Sequence, residues 1–368
     1  MSNAPLVKVL ALSPIPEEGA GCRFRVSQYI PYLRGAGFDV TVSPFYSREY
    51  FAFVYRPGNY VRKATGLASL TLRRLGQLFS MRRYDLVFLY REAIPIGPPL
   101  IERAIARMGM PIVYDFDDAI FLPAVSEANK AVSFLKNPGR VAEILSLSRQ
   151  VTVGNEFLAS YARQFNPRVT VIPTAVDTQR FVPRADAPPD HERKLVVGWI
   201  GSPTTFPYLE SIKDMLAEVA SRHPFTLKVS GAGRAVNFPG VDVEVAPWSM
   251  ADEVTLFNTC DIGVYPLTDD QWARGKCGFK AIQFMACGVP VVAAAVGVNK
   301  EIITHGVDSM LASSRQDWID HLSRLLTDAE LRRRMAVAGR RTIVARYSLD
   351  VTAPQLAGAL RAALPSHS

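Results

Sequence analysis

Gly275-Lys-Cys-Gly-Phe-Lys-Ala-Ile-Gln-Phe-Met-Ala-Cys-Gly-Val-Pro290 is the stretch whose reading decides the fold. It opens on small and basic residues, continues as a helical apolar pattern, and closes at Gly288-Val289-Pro290 before the apolar run Val291–Ala294. Glycines let a backbone approach an anion, a helix start offers unused N–H groups, and Lys276 and Lys280 add positive charge. A loop, helix and buried strand in that order predict a phosphate grip at the edge of a doubly wound α/β sheet.

Strand and helix patterns alternate outward from this stretch. One series of strands is expected at 6–12, 39–43, 86–90, 111–115, 150–153 and 169–172. A second is expected at 195–200, 227–230, 241–245, 262–265 and 289–293. Several are continuous apolar runs, as suits parallel strands covered on both faces. Helical periodicity lies between them, for example at 209–221 and 316–326. Two βα series imply two Rossmann-like doubly wound domains. The proline-rich stretch 183–193 reads as a linker, which puts the domains at 1–182 and 194–346. An amphipathic helix is expected from Val351 to Leu364.

The 368 residues suit two domains, and 48% hydrophobic with 21% charged residues is a globular composition. No apolar run reaches the roughly 18 residues of a membrane span. The start reads as a first β-strand rather than a signal peptide. Cys22, Cys260, Cys277 and Cys287 are scattered, which disfavours zinc and disulfide frameworks and fits a reducing cytoplasm. The net charge of +8 is compatible with nucleic acid, anionic lipid or a phosphorylated ligand. No nucleic-acid module is recognisable.

Gly278-Phe279, five residues, Met285-Ala286, then Gly288, Pro290-Val-Val-Ala293, Gly297 and Glu301 resemble the donor-nucleotide motif of the GT-B retaining glycosyltransferases of family four. Ile172-Pro173-Thr-Ala-Val176-Asp177 with Phe181 is similar to that family's Ile-Pro-Asn-Gly-Val-Asp-x-x-x-Phe. The resemblance implies two domains facing across a cleft, with the C-terminal segment 347–368 packing back on the first. It also implies a metal-independent, cofactor-free transferase with a nucleotide sugar as substrate. The acceptor would be a glycan, a glycolipid or a small molecule.

The resemblance also distributes roles. Gly19, Gly21 and Arg23 follow the first strand and face the donor phosphates; a plain turn and helix start is the alternative. Gly201, Ser202 and Thr204 open the second domain where relatives carry an Arg and a Lys, so more of the phosphate charge falls to Lys276 and Lys280. Ser202, Thr204 or Thr205 can equally cap a helix with Pro203 in its first turn. The family's two glutamates fall at Gly275 and Gln283, as in a branch reading Gly-Lys-Cys-x-Phe-Lys-x-x-Gln-Tyr-Met. Gln283 can bond the ribose hydroxyls instead. Asp270, beside Asp269, either replaces the lost sugar contact or is a solvated acid. Trp248 either meets the base or is core. Cys277, Gly278 and Phe279 complete the donor loop. Asp117 and Asp118 either position the acceptor or cap a helix.

Arg56 to Arg91 holds eight basic residues against one acid, Asp85, interleaved with Leu67, Leu70, Leu72, Leu75, Leu78 and Phe79. Such a segment fits an anionic membrane at the inner face of the cell, or a solvated helix face. The expected function is sugar transfer to an acceptor hydroxyl, in cell-surface polysaccharide or glycolipid synthesis. Lys276 and Lys280 would stabilise the leaving diphosphate. A non-catalytic sugar-nucleotide binder and a nucleotide-sugar epimerase are the alternatives. Gly231-Ala232-Gly233 lacks the third glycine of a dinucleotide loop.

Overall fold

A computed structural model describes residues 6–56, 58–122, 139–185 and 193–365. Twelve strands are described: β1 (Val7–Ser13), β2 (Phe38–Pro44), β3 (Leu86–Tyr90), β4 (Ile112–Phe116), β5 (Gln150–Val153), β6 (Val169–Val171), β7 (Leu195–Ile200), β8 (Phe225–Ser230), β9 (Asp242–Ala246), β10 (Ile262–Tyr265), β11 (Val291–Ala294) and β12 (Met310–Ala312). They form two six-stranded parallel sheets, ordered β2-β1-β3-β4-β5-β6 and β12-β11-β10-β7-β8-β9. All five residues of β3 and of β4 are buried, as the apolar run of β3 predicts; in β4 the run is broken by Asp115.

The chain divides into two compact units, one running to Thr174 and resuming at Asp350, the other Ala175–Leu349. The first unit ends earlier than residue 182. Phe181 is fully buried in the second unit, 6.0 Å from the Phe257 ring. Arg340 takes the Thr178 carbonyl at 2.5 Å and that of Phe181. The expected linker, 183–193, falls mostly outside the described residues. The helix Leu349–Ala363 ends the described chain in the first unit, where Tyr29 bonds Thr352 at 3.0 Å and Arg361 donates to the Ala36 carbonyl at 2.5 Å.

Each sheet reverses strand order at one place, between β1 and β3 and between β7 and β10. The loops leaving the carboxyl ends of these strands splay apart there, and this is where doubly wound sheets bind ligands. In the second unit they are the loops after Ile200 and after Tyr265.

Asp261, just ahead of β10, fixes the entry to this sheet. It accepts from Arg184 at 2.7 Å, Arg193 at 2.5 Å and the Val196 N–H at 2.8 Å. Burial alone would raise its pKa, but Arg193, the Val196 N–H and Arg184 outweigh burial and hold it below 3.8. Folding therefore favours the ionised form, so the stabilisation is present above the unfolded pKa and lost as pH falls through the folded one. Asp261→Asn is expected to lower the urea midpoint near neutral pH, and its deficit relative to wild type should shrink below about pH 4. A deficit that is constant across that range would refute this linkage.

Candidate functional site

The loop after β7 is held in shape by its own hydroxyls. The Ser202 N–H donates to Thr205 Oγ1 at 2.9 Å, and the Ser202 and Thr204 hydroxyls lie 2.9 Å apart. The next helix, Phe206–Glu210, has Thr205 at its N-cap position with no side-chain cap and Pro207 in its first turn. Pro203 is therefore a loop residue. Gly231, at φ +84°, explains the glycines that mimic a dinucleotide loop: a Cβ there would strike the Gly201 carbonyl oxygen. The close approach serves the packing of two loops.

The loop after β10 leads into the stretch quoted first. Asp270 caps the short helix Gln271–Arg274, accepting from the Ala273 N–H at 2.8 Å and from the Thr268 hydroxyl at 2.7 Å. Asp269 pairs with Arg274 at 2.7 Å. Both acids are exposed and do local structural work, which weakens their assignment to the donor sugar. Lys276 lies 5.9 Å from the Trp272 ring, and Cys277 is buried. Gly278, at φ +63°, is the N-cap of the helix Phe279–Ala286 and offers no capping side chain. The first-turn N–H groups of that helix thus meet no cap from its own N-cap residue. Asn299, 1% exposed, lies against Gly278 and bonds the Ala294 carbonyl at 3.0 Å.

Lys280, one position into that helix, donates to Gln283 Oε1 at 2.7 Å. Gln283 Nε2 in turn donates to Glu253 Oε1 at 3.3 Å. Gln283 is 0% exposed, so the ribose contact expected of it is not available in this arrangement. It stands behind Lys280. Glu253, not a candidate from the sequence, is 1% exposed and also meets Arg180 at 3.5 Å. Trp248 is 38% exposed, which removes the core reading and leaves its indole on the surface of the second unit.

At the crevice of the first unit Gly21 lets the chain pass the Tyr90 ring, since a Cβ there would strike the phenol. Arg23 is 7% exposed and donates to the Glu17 and Glu18 carbonyls at 3.0 and 3.4 Å. Gly19 packs on Ile15 and Phe51. Asp117 and Asp118 cap no described helix; both hold Arg91, Asp117 at 3.1 Å. Arg91 follows β3 at φ +57°, a left-handed conformation that costs a non-glycine residue energy and recurs at functional sites. Tyr90 donates to Asp117 at 2.8 Å. Burial would raise Asp117, yet Arg91 and Arg25 pull its pKa below the ordinary value, so it is a carboxylate at neutral pH. Burial pushes the Tyr90 phenol well above its usual value, so it stays a donor.

The basic segment forms the helix Tyr60–Gln77 and the turn Leu78–Arg83. Not all of its charge faces out. Arg74 is 2% exposed, bonded to the Ser43 carbonyl at 2.9 Å and to Gln77 at 2.7 Å, with its pKa pushed down by burial to about 9. Arg73 donates to the Pro44 and Phe45 carbonyls, both at 2.7 Å, Lys63 to that of Arg56, and Arg91 belongs to the crevice. Leu67 and Leu70 pack inward on Phe45, Tyr46 and Tyr50. The outward face carries Val61, Thr65, Ala68, Leu72, Leu75 and Phe79, with Phe79 95% exposed. Their spacing of three or four residues makes one stripe, flanked by exposed Arg62, Arg82 and Arg83. Among the described residues no helix is long and apolar enough to cross a membrane.

This architecture recurs in solved structures. Sucrose-phosphate synthase from Thermosynechococcus elongatus superposes with a TM-score of 0.68 at 16% identity, covering 96% of this chain and 98% of that one. Anabaena Alr3699/HepE in complex with UDP-glucose gives 0.65 at 16% identity, covering 96% and 99%. The fold is therefore GT-B, built from two Rossmann-like units. Within it, residues 195–328 match the family model Glycosyl transferases group 1. The D-inositol 3-phosphate glycosyltransferase of Stackebrandtia nassauensis is 29% identical over 249 residues, 60% of this chain and 54% of that protein. A protein of the same name from Segniliparus rotundus is 26% identical over 288 residues, 70% of this chain and 62% of that protein. The chain spans about half the length of the curated relatives it matches.

Proposed function

We propose that this chain is a retaining glycosyltransferase that carries a sugar from a nucleoside-diphosphate donor to an acceptor hydroxyl. The observation that carries the reading is the helix start at Gly278, an N-cap with no side chain, with Lys276 and Lys280 beside it in the segment that follows β10 at the reversal point of the second sheet. The match of residues 195–328 to a glycosyltransferase family model supports it. So does the likeness to a protein whose structure holds UDP-glucose.

The chemistry follows from the charges. As the glycosidic bond breaks, the sugar gains oxocarbenium character and the diphosphate gains negative charge. Ammonium groups and N–H dipoles already in place stabilise that charge without reorganising. No protein carboxylate is needed as nucleophile if the departing phosphate itself takes the acceptor proton on the same face of the sugar. The ionised Asp117 and the adjacent Asp118, held at the first crevice by Arg91, are the groups assigned to the acceptor hydroxyl. The test is a thermal-shift screen with UDP, GDP and their hexose conjugates, followed by assay of nucleotide release with and without sugar and polyol acceptors. A ligand raises the melting temperature by mass action. No shift with any nucleotide, and no release, would refute the reading.

The outward stripe from Val61 to Phe79 supports an acceptor held at an anionic membrane, in polysaccharide or glycolipid synthesis on the cytoplasmic side. Apolar insertion and basic attraction act together there, each cation near the surface adding about 1 kcal/mol. The protein is expected to co-sediment with vesicles containing anionic lipid at low salt, to leave them at high salt, and to lose binding on Phe79→Glu. Equal partitioning to neutral and anionic vesicles, or none to either, would remove the membrane from the proposal and favour a soluble acceptor.

A further inference from the structure

The charge on the donor helix is steered from behind. Lys280 and Gln283 stand one turn apart, and the amide of Gln283 joins the Lys280 ammonium, at 2.7 Å from Oε1, to Glu253, at 3.3 Å from Nε2. Glu253 keeps its second oxygen for Arg180 at 3.5 Å. With Gln283 0% and Glu253 1% exposed, water does not dilute these contacts. An amide in this place has a fixed direction: its oxygen must face the cation and its NH2 the carboxylate. A carboxylate at 283 would face Glu253 across the same short distance, and two such buried acids cannot both ionise. The identities at 253 and 283 are therefore coupled, one acid and one amide.

We propose that Glu253 and Gln283 are positioning residues that aim the Lys280 ammonium at the donor diphosphate. Glu253 supplies the counter-charge and Gln283 passes its direction on. The arrangement keeps the carboxylate one side chain back from the anion, so that the phosphate meets a neutral amide and a cation rather than an acid. Lys280 is then oriented before the donor arrives. The inference rests on the reading of Lys280 as a diphosphate ligand.

The test is calorimetry with UDP on Lys280→Ala, Glu253→Gln, the pair of these, Gln283→Glu, and the swap Glu253→Gln with Gln283→Glu, each with its melting curve. Glu253→Gln is expected to weaken UDP about tenfold in the native background and to change nothing further once Lys280 is alanine. A merely structural residue would cost the same in both backgrounds. Gln283→Glu should also weaken binding and recover as pH falls and one acid of the pair takes a proton. The swap should bind UDP better than Gln283→Glu alone, because it removes the pair of facing acids, yet stay weaker than wild type, because the carboxylate at 283 now stands beside the phosphate. If Glu253→Gln melts too low to assay, Gln283→Met is expected to show the same dependence on Lys280. Wild-type affinity in Glu253→Gln, an equal loss in both backgrounds, or a swap no better than Gln283→Glu alone would overturn the proposal while leaving the diphosphate site standing. Wild-type affinity in Lys280→Ala would overturn both.

Discussion

Asp115→Ala is expected to destabilise the first unit by about 3–5 kcal/mol, the scale of breaking a buried ion pair from one side. Asp115 accepts from Arg25 through both oxygens, Nε at 2.9 Å, and from the Thr152 hydroxyl at 2.6 Å. The two side chains are 1% and 3% exposed. Arg25 spends its remaining nitrogen on the Ile172 carbonyl at 2.8 Å. Removing the acid leaves a buried guanidinium without its bonded partner, with only the charge of Asp117 left to attract it. Replacing both partners by apolar residues, Arg25→Met with Asp115→Leu, should restore most of the loss, since a desolvated pair gives little net stability. Urea unfolding followed by hydrogen exchange would place the loss in the first unit. A wild-type midpoint for Asp115→Ala would refute the account.

Lys280→Ala is expected to weaken nucleoside-diphosphate binding by about 1.5–3 kcal/mol, the range of a hydrogen bond to a charged group. The second unit should also melt somewhat lower, because the buried Gln283 Oε1 loses the Lys280 donor. Calorimetry against UDP measures the loss, and its slope against salt should fall when the cation is gone. Lys276→Ala should cost affinity too. Unchanged affinity in both single variants would remove the diphosphate from this helix start.

The features legible in the sequence were local ones. The run 275–290 announced its loop, helix and strand because glycine, lysine and apolar periodicity occupy adjacent positions, and β3, β5, β7 and β10 fall at their expected bounds. The strand β12 is three residues long, too short for alternation to register. Gln283 reads as a ligand residue by its place in a motif, yet its direction is set by Glu253, which is distant in sequence. Arg91 reads as one charge of a basic stretch until the end of β4 brings Asp117 and Asp118 to it. Arg74 reads likewise, until the Ser43 carbonyl draws it inward. In each case the deciding partner lies on another element, and no window along the chain contains it.

The return of the last described helix to the first unit bears on how the protein is made. Ala175–Leu349 is one continuous piece, so it can fold as soon as it has left the ribosome. The first unit is synthesised earlier yet lacks Thr352 for its Tyr29, and Arg361 for the turn at Ala36, until translation has passed both. At about 5–20 residues per second the 175 intervening residues represent a wait of roughly 10–35 seconds. During that time Leu356 and Leu360, both buried in the finished fold, have yet to be made. The unit begun first is therefore completed after the second, and for that interval it lacks the contacts of its last helix.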